Sequence, residues 1–523
     1  MEQKPSEFER LAKLSIRPPF TVLKIAVRFG FGMSLIVLSI RAFLFGNGLF
    51  VYRDWSWPLS TQRTPTAAFA PSGISNGVPD PFGFTRMFLT WPVYVIDKLT
   101  SDPIIAEKWF IIYLWGVFVF LSFLLAELLS RLLNRYSSEP LTSWKKETLV
   151  LFVVSFSFAN FWSLEQLSGM YYTYFIEFML VGISTVMILL MNSGLKAVVL
   201  AGVALSFCIL LDPNIYLFGL IANGITVMIS SLKRASLLAS AKKTVVRLSL
   251  LISTSLPALL TVVYALEQAT GTNLRAPGTY LSSSVNLSFD NAIRLLGYSW
   301  SLIVYAPPTI LVTKSAMVSA AVLGTPPLVL LPSGLMADLW LAATWFVPFF
   351  AFASIYFKPY RRVSVVYLAT ALVGLLLTQP SIFPLPYQLE GPLAAIPLVG
   401  GAYSTVFAIP DHILIIVALG YLMLVAIGVH FLLSKFPRRI ELYKNDTRKE
   451  RQNKRSYRTK LLAGLILGLV MFMLLFPSWQ FFSGSFFPSS FTPGEPGNGI
   501  PQTGAFSASQ PPQNMLDTYN WLF

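Results

Sequence analysis

The sequence is poor in cysteine, histidine and acid, and each shortage excludes something. Its single cysteine, Cys208, rules out a disulfide framework or thiolate metal cluster within the chain. Its two histidines, His412 and His430, stand 18 residues apart. That is outside any helical ligand spacing and argues against histidine-based metal chemistry, while carboxylate coordination of a hard cation stays open. There is no Walker loop, HExxH or GxSxG, so the common nucleotide, zinc-protease and serine-hydrolase signatures are missing. Nor is there an internal repeat of the kind that marks many transporters. Charged residues make up only 12%, about half the share in a soluble domain.

What is abundant is apolar. With 54% hydrophobic residues and a mean hydropathy of +0.63, the chain reads as an integral membrane protein. Many apolar runs reach the roughly 20 residues that carry a helix through about 30 Å of hydrocarbon. They do not alternate in polarity, which excludes a β-barrel. The net charge of +15 takes its meaning from position. About 30 of the 39 Lys and Arg fall at the N-terminus and in 131–147, 192–196, 231–247, 358–362 and 434–460. Those segments alternate with outer ones, so the charge is a positive-inside signature and not a nucleic-acid surface. The densest run, Lys444 to Lys460, reads as a topology determinant touching anionic lipid.

The apolar runs predict an all-α polytopic protein of about eleven transmembrane helices, spanning 29–476. Residues 1–28 form a basic, mildly amphipathic cytoplasmic segment. It leads straight into helix one without a small-residue cleavage site. Helix one covers 29–49 and contains Arg41, which either reaches outward or faces a phosphate. Helices two to seven are expected at 109–131, 148–164, 171–191, 196–211, up to 231, and 245–266. The break between five and six falls at Asp212-Pro213. Glu127 and Arg131, four apart, are expected to pair. Segment 298–334 is interrupted by prolines, as in re-entrant or broken helices. Helices eight to eleven follow at 335–357, 363–378, 411–433 and 461–476. Outer loops are expected at 51–108, 267–334 and 379–410. The first carries interfacial helices in its second half, and the second holds a sequon, Asn286-Leu287-Ser288. From 477 to 523 the composition is that of a flexible external tail.

The candidate reaction centre is Phe45 to Ser60, FGNGLFVYRDWSWPLS, where helix one surfaces. Asp54 sits there among the interfacial aromatics Tyr52, Trp55 and Trp57, able to meet a lipid headgroup on one side and a soluble group on the other. The plainer reading is that Asp54 solvates a helix end. Asp80, Asp97, Glu165, Glu177 and Asp212 are expected on the same side. Glycosyl transfer from a lipid phosphate would use such a set. A carboxylate takes the acceptor's proton, and Arg or a divalent cation, Mg or Mn, neutralises the leaving phosphate. Arg53, Arg41, Arg275 and Arg294 are available for that second task.

The order of a cytoplasmic N-terminus, one helix, YRDWSWPL, a long outer loop and a helical bundle resembles the polyprenyl-phosphate-sugar-dependent GT-C glycosyltransferases. The likeness is to arabinofuranosyltransferase-like and related archaeal membrane proteins in particular. FANFWSLEQLSGMYYTYF and LSFDNAIRLLGYSW also look similar to stretches of that family. The resemblance implies that Asp54 is the catalytic base, and that a second acid in the same loop, placed here at Asp80, assists it. It implies a multi-pass protein of the plasma membrane, moving a hexosyl or pentosyl group from a polyprenyl-phosphate-linked sugar to a glycan, lipid or protein acceptor on the outer face. The family's double-acidic motif is absent, which leaves metal use open. Two other readings stand beside it. One is a transporter or flippase for a lipid-linked or small solute, with Arg41 and Glu177 lining its route. The other is a non-catalytic scaffold subunit.

Overall fold

The computed structural model describes residues 18–45, 49–52, 55–56, 73–75, 78–80, 95, 99, 103–137, 139–160, 172–211, 213–232, 237–270, 335–377, 392, 410–435, 447–478 and 508–509. At Arg41 and Asp80 the description is of the backbone alone.

Among these residues the chain is a bundle of eleven α-helices: α1 (Pro18–Leu44), α2 (Pro103–Tyr136), α3 (Ser143–Phe158), α4 (Tyr172–Leu190), α5 (Leu195–Leu211), α6 (Pro213–Ser231), α7 (Leu237–Thr270), α8 (Leu335–Ala353), α9 (Arg361–Leu377), α10 (Pro410–Lys435) and α11 (Thr447–Leu475). Among the described residues, five stretches are long and apolar enough to cross a membrane: Lys108–Tyr136, Leu238–Val262, Lys358–Leu377, Ile413–Lys435 and Leu461–Ser478. Shorter apolar helices, such as Tyr174–Leu190 and Leu195–Leu211, pack among them. The protein is therefore a helical membrane protein in its architecture.

Local chemistry explains most boundaries. Pro213 separates α5 from α6, as the sequence predicts. The α4–α5 turn closes in four residues, with Asn192 at φ 51° and Ser193 at φ 54°. Asn tolerates that left-handed geometry, and the buried Ser193 hydroxyl pairs with Ser230 of α6. α3 begins and ends earlier than hydropathy suggests. Its last carbonyls, Ser157 O and Phe156 O, are taken by the Asn160 amide at 2.7 and 3.5 Å, which caps the helix one turn before the apolar run ends. α11 begins at Thr447, well before its apolar part, because Lys, Arg, Gln and Glu are good helix formers. Its far end continues as a buried turn, Phe476–Ser478, so the first residues of the tail belong to the bundle.

α10 is the axis, its apolar window wholly buried. α9, α8 and α3 pack against it. The α9–α10 crossing is close because Gly420 faces α9. A Cβ there would lie 2.6 Å from the Ala371 Cβ and 2.8 Å from the Tyr367 carbonyl oxygen. Polar pairs stitch other seams, as expected for helices without a hydrophobic drive to associate in lipid. Ser184 of α4 donates to Asn223 Oδ1 of α6 at 2.9 Å, and Tyr216 of α6 meets Ser255 of α7 at 2.8 Å. α7 and α11 are the least buried of the five long spans.

Among the described residues the remaining regular structure is two short 3-10 turns between α8 and α9, Ser354–Tyr356 and Lys358–Tyr360, and five short strands. β1 (Leu49–Tyr52) pairs antiparallel with β2 (Trp55–Ser56) and with β5 (Ala508–Ser509), and β3 (Gly73–Ser75) pairs with β4 (Val78–Asp80). The strands of the first loop all fall in its first half, whereas in the second half, where interfacial helices are expected, the described residues Val95 and Leu99 are helical. Most of that second half lies outside the described residues, as does 298–334.

Candidate functional site

Two ends of the bundle differ in chemistry. At one, basic side chains bind helix ends. Arg135 at the end of α2 donates to the Leu190 carbonyl that ends α4, and Arg362 of α9 donates to the Ser230 carbonyl near the end of α6. Arg247 of α7 donates to Ser231 Oγ at 2.6 Å. Cations at helix C-termini satisfy orphan carbonyls and oppose the negative pole of the helix. Lys435 at the end of α10 adds an ion pair to Glu139 in the α2–α3 turn at 3.6 Å. We call this end the basic face.

Its strongest knot joins α1, α2 and α3. Arg28 donates through Nε and Nη2 to the two Glu147 oxygens at 2.8 and 3.1 Å, and through Nη2 to Glu127 at 3.0 Å. Arg131 adds Nε at 3.2 Å to Glu127, the expected pair four residues apart. Lys146 also binds Glu127, and Lys24 binds Glu147. Arg28 and Glu147 lie 119 residues apart, and no local pattern signals such a pairing.

A second node joins α10 to α2. His430 of α10, fully buried, places Nε2 3.0 Å from Asn134 Oδ1 and Nδ1 2.8 Å from the Tyr360 hydroxyl. Asn134 Oδ1 also accepts the Leu141 backbone N–H at 2.9 Å, which fixes it as an acceptor. Nε2 therefore carries the proton, and Tyr360 donates to Nδ1. His430 is thus a structural histidine joining α10 to the α2–α3 turn and the start of α9. Replacing it with Leu is expected to destabilise the protein by about 1–3 kcal/mol. The double variant with Tyr360→Phe is expected to cost less than the sum of the singles in thermal unfolding. Strict additivity would show that the Tyr360–His430 bond contributes nothing.

The opposite end is aromatic. Trp115 stacks on Phe158 at 5.6 Å, Phe175 lies 4.7 Å from Phe118 and 5.1 Å from Phe158, and Ser478 donates to the Ala159 carbonyl. Asp54, Arg53, Asp97, Glu165, Asp212, Arg275 and Arg294 lie outside the described residues. Around Asp54, Tyr52 faces Trp55 and Val51 faces Ser56 across β1 and β2. β1 rests on α2, and β4, which ends at Asp80, rests on α7. Thus both strand pairs of the first loop are braced by the bundle.

The chain matches no family model, no curated protein and no solved structure.

Glu177 is the candidate acid whose side chain is described. It lies in the second turn of α4, fully buried, within electrostatic reach of the buried Cys208 thiol of α5. It belongs to the packed interior and not to a surface, so as a cavity-lining residue it would act from inside the bundle. Among the described residues, no group of three or more His, Cys, Asp or Glu gathers in a way that would hold a metal. A divalent cation at the outer loops would need Asp54, Asp80 or their neighbours.

Proposed function

We propose that the protein is a membrane-embedded glycosyltransferase of GT-C-like architecture. In this reading all eleven helices cross the plasma membrane, with the basic face and N-terminus in the cytoplasm and the C-terminal tail outside. Asp54 takes the proton of an acceptor hydroxyl on a glycan, lipid or protein, with Asp80 assisting. The acceptor oxygen bonds to the sugar's anomeric carbon as the bond to the polyprenyl phosphate breaks. Arg53, Arg41 and Arg294 hold the departing phosphate, with Mg or Mn as an optional aid.

The observation that supports this most is the pairing of the strands on either side of Arg53-Asp54, braced on α2. A general base works only when held within hydrogen-bond reach of the proton it removes. A paired, braced segment is better suited to that than a bare helix end. The test is the purified full chain in liposomes with a panel of radiolabelled polyprenyl-phosphate sugars and added glycan acceptors. Label moving from the lipid fraction to the acceptor is the expected outcome. Solute uptake with no transfer from any donor would favour the transporter reading, for which buried Glu177 in the bundle core is the supporting observation.

A further inference from the structure

We propose that the corner of the basic face between α1, α2 and α3 binds the headgroup of an anionic phospholipid. The argument is one of charge and place. Two carboxylates, Glu127 and Glu147, share four cations, Lys24, Arg28, Arg131 and Lys146. Within the network two positive charges are left uncompensated. Arg28 is committed at its centre, 22% exposed, whereas the Arg131 side chain is 62% exposed and Lys24 33%. The excess charge therefore sits on the outer members.

Its surroundings are those of a lipid. Trp144, one turn before Glu147 on α3, is 54% exposed, an interfacial anchor that marks headgroup depth. Beside Lys24 and Arg28, α1 exposes Val22, Leu23, Ile25, Val27 and Phe29, an apolar surface on which an acyl chain can lie. A cationic rim above an apolar wall at the membrane boundary fits a phosphate with its own chains attached. A free anion would have no use for the wall. Arg131 and Lys24 are placed to bind the phosphate oxygens while Arg28 keeps the corner assembled.

The experiment is native mass spectrometry of the full chain titrated with phosphatidylglycerol or phosphatidylcholine. Each Lys or Arg near an anionic surface contributes about 1 kcal/mol. Lys24→Gln with Arg131→Gln is therefore expected to weaken phosphatidylglycerol binding roughly 25-fold, with phosphatidylcholine unchanged. Lys24→Arg with Arg131→Lys is expected to keep binding. Unchanged affinity in the neutralised variant, or equal affinity for the two lipids, would overturn the proposal. So would an equal loss in the charge-preserving variant, which would make the role purely structural. Inorganic phosphate is expected not to displace the lipid. Displacement at millimolar phosphate would mark a free-anion site instead.

Discussion

Asp54→Asn is expected to leave the protein folded and to lower sugar transfer by about 10²–10⁴-fold, the usual contribution of a general base. Asn has the size and hydrogen-bonding reach of Asp but cannot take up a proton at neutral pH. The change therefore separates chemistry from shape. The neighbouring strands pair through main-chain register, Tyr52 with Trp55 and Val51 with Ser56, which the substitution does not touch. Asp80→Asn is expected to lower transfer less, as an assisting acid would. Elution and melting of the purified variant check its fold, and initial rates of transfer check its chemistry. An Asp54→Asn protein that transfers at the wild-type rate would remove Asp54 from the mechanism.

Gly420→Val is expected to have the largest effect on stability. The added Cβ meets the Ala371 Cβ at 2.6 Å, the Tyr367 carbonyl oxygen at 2.8 Å and the Ala371 Cα at 3.1 Å. Two of these three atoms are main chain, so no rotamer change relieves the clash. α9 cannot simply retreat, because it is tied to α4 where Tyr367 meets Thr185 at 3.4 Å. α10 cannot move outward either, being enclosed along its whole apolar length. Overpacking of this kind costs about 1–3 kcal/mol and at times more. Two γ-methyls in addition to the Cβ place this site at the upper end. Gly468→Val on α11, where nothing lies within 4 Å, is the matched control. The expected result is a clear fall in melting temperature and monodisperse yield for Gly420→Val alone. Equal behaviour of the two variants would contradict the packing described for α9 and α10.

The contrast between Pro213 and Arg28 shows how far a sequence carries this architecture. Pro213, the 192–196 turn and the Glu127–Arg131 pair are local, and the chain states them directly. Which helix ends carry the basic side chains was equally legible, because Lys and Arg gather where orphan carbonyls favour them. Helix boundaries were less so. Hydropathy marks where apolar character stops, whereas α3 stops where Asn160 caps it and α11 starts where helix-forming charged residues begin. Least legible were the knots between separate helices. His430 and Asn134 lie 296 residues apart, and Ser478 and Ala159 lie 319 apart. Only the packing of α2 against α10, and of α3 against the end of α11, brings them together. Of the candidate acids, Glu177 was expected on the outer side as a cavity-lining residue, and its side chain is fully buried within the bundle. Its neighbour Cys208 comes from another helix, and only the fold reveals it.

The enzyme reading stands on the side of the membrane that Asp54 occupies. Cys208 is the one native cysteine and is buried, so single-cysteine labelling is clean in a Cys208→Ala background. Asp54→Cys is predicted to react with an impermeant maleimide in intact cells. Arg362→Cys, on the basic face, is predicted to react only after permeabilisation. Reaction at position 54 only from within would contradict the account.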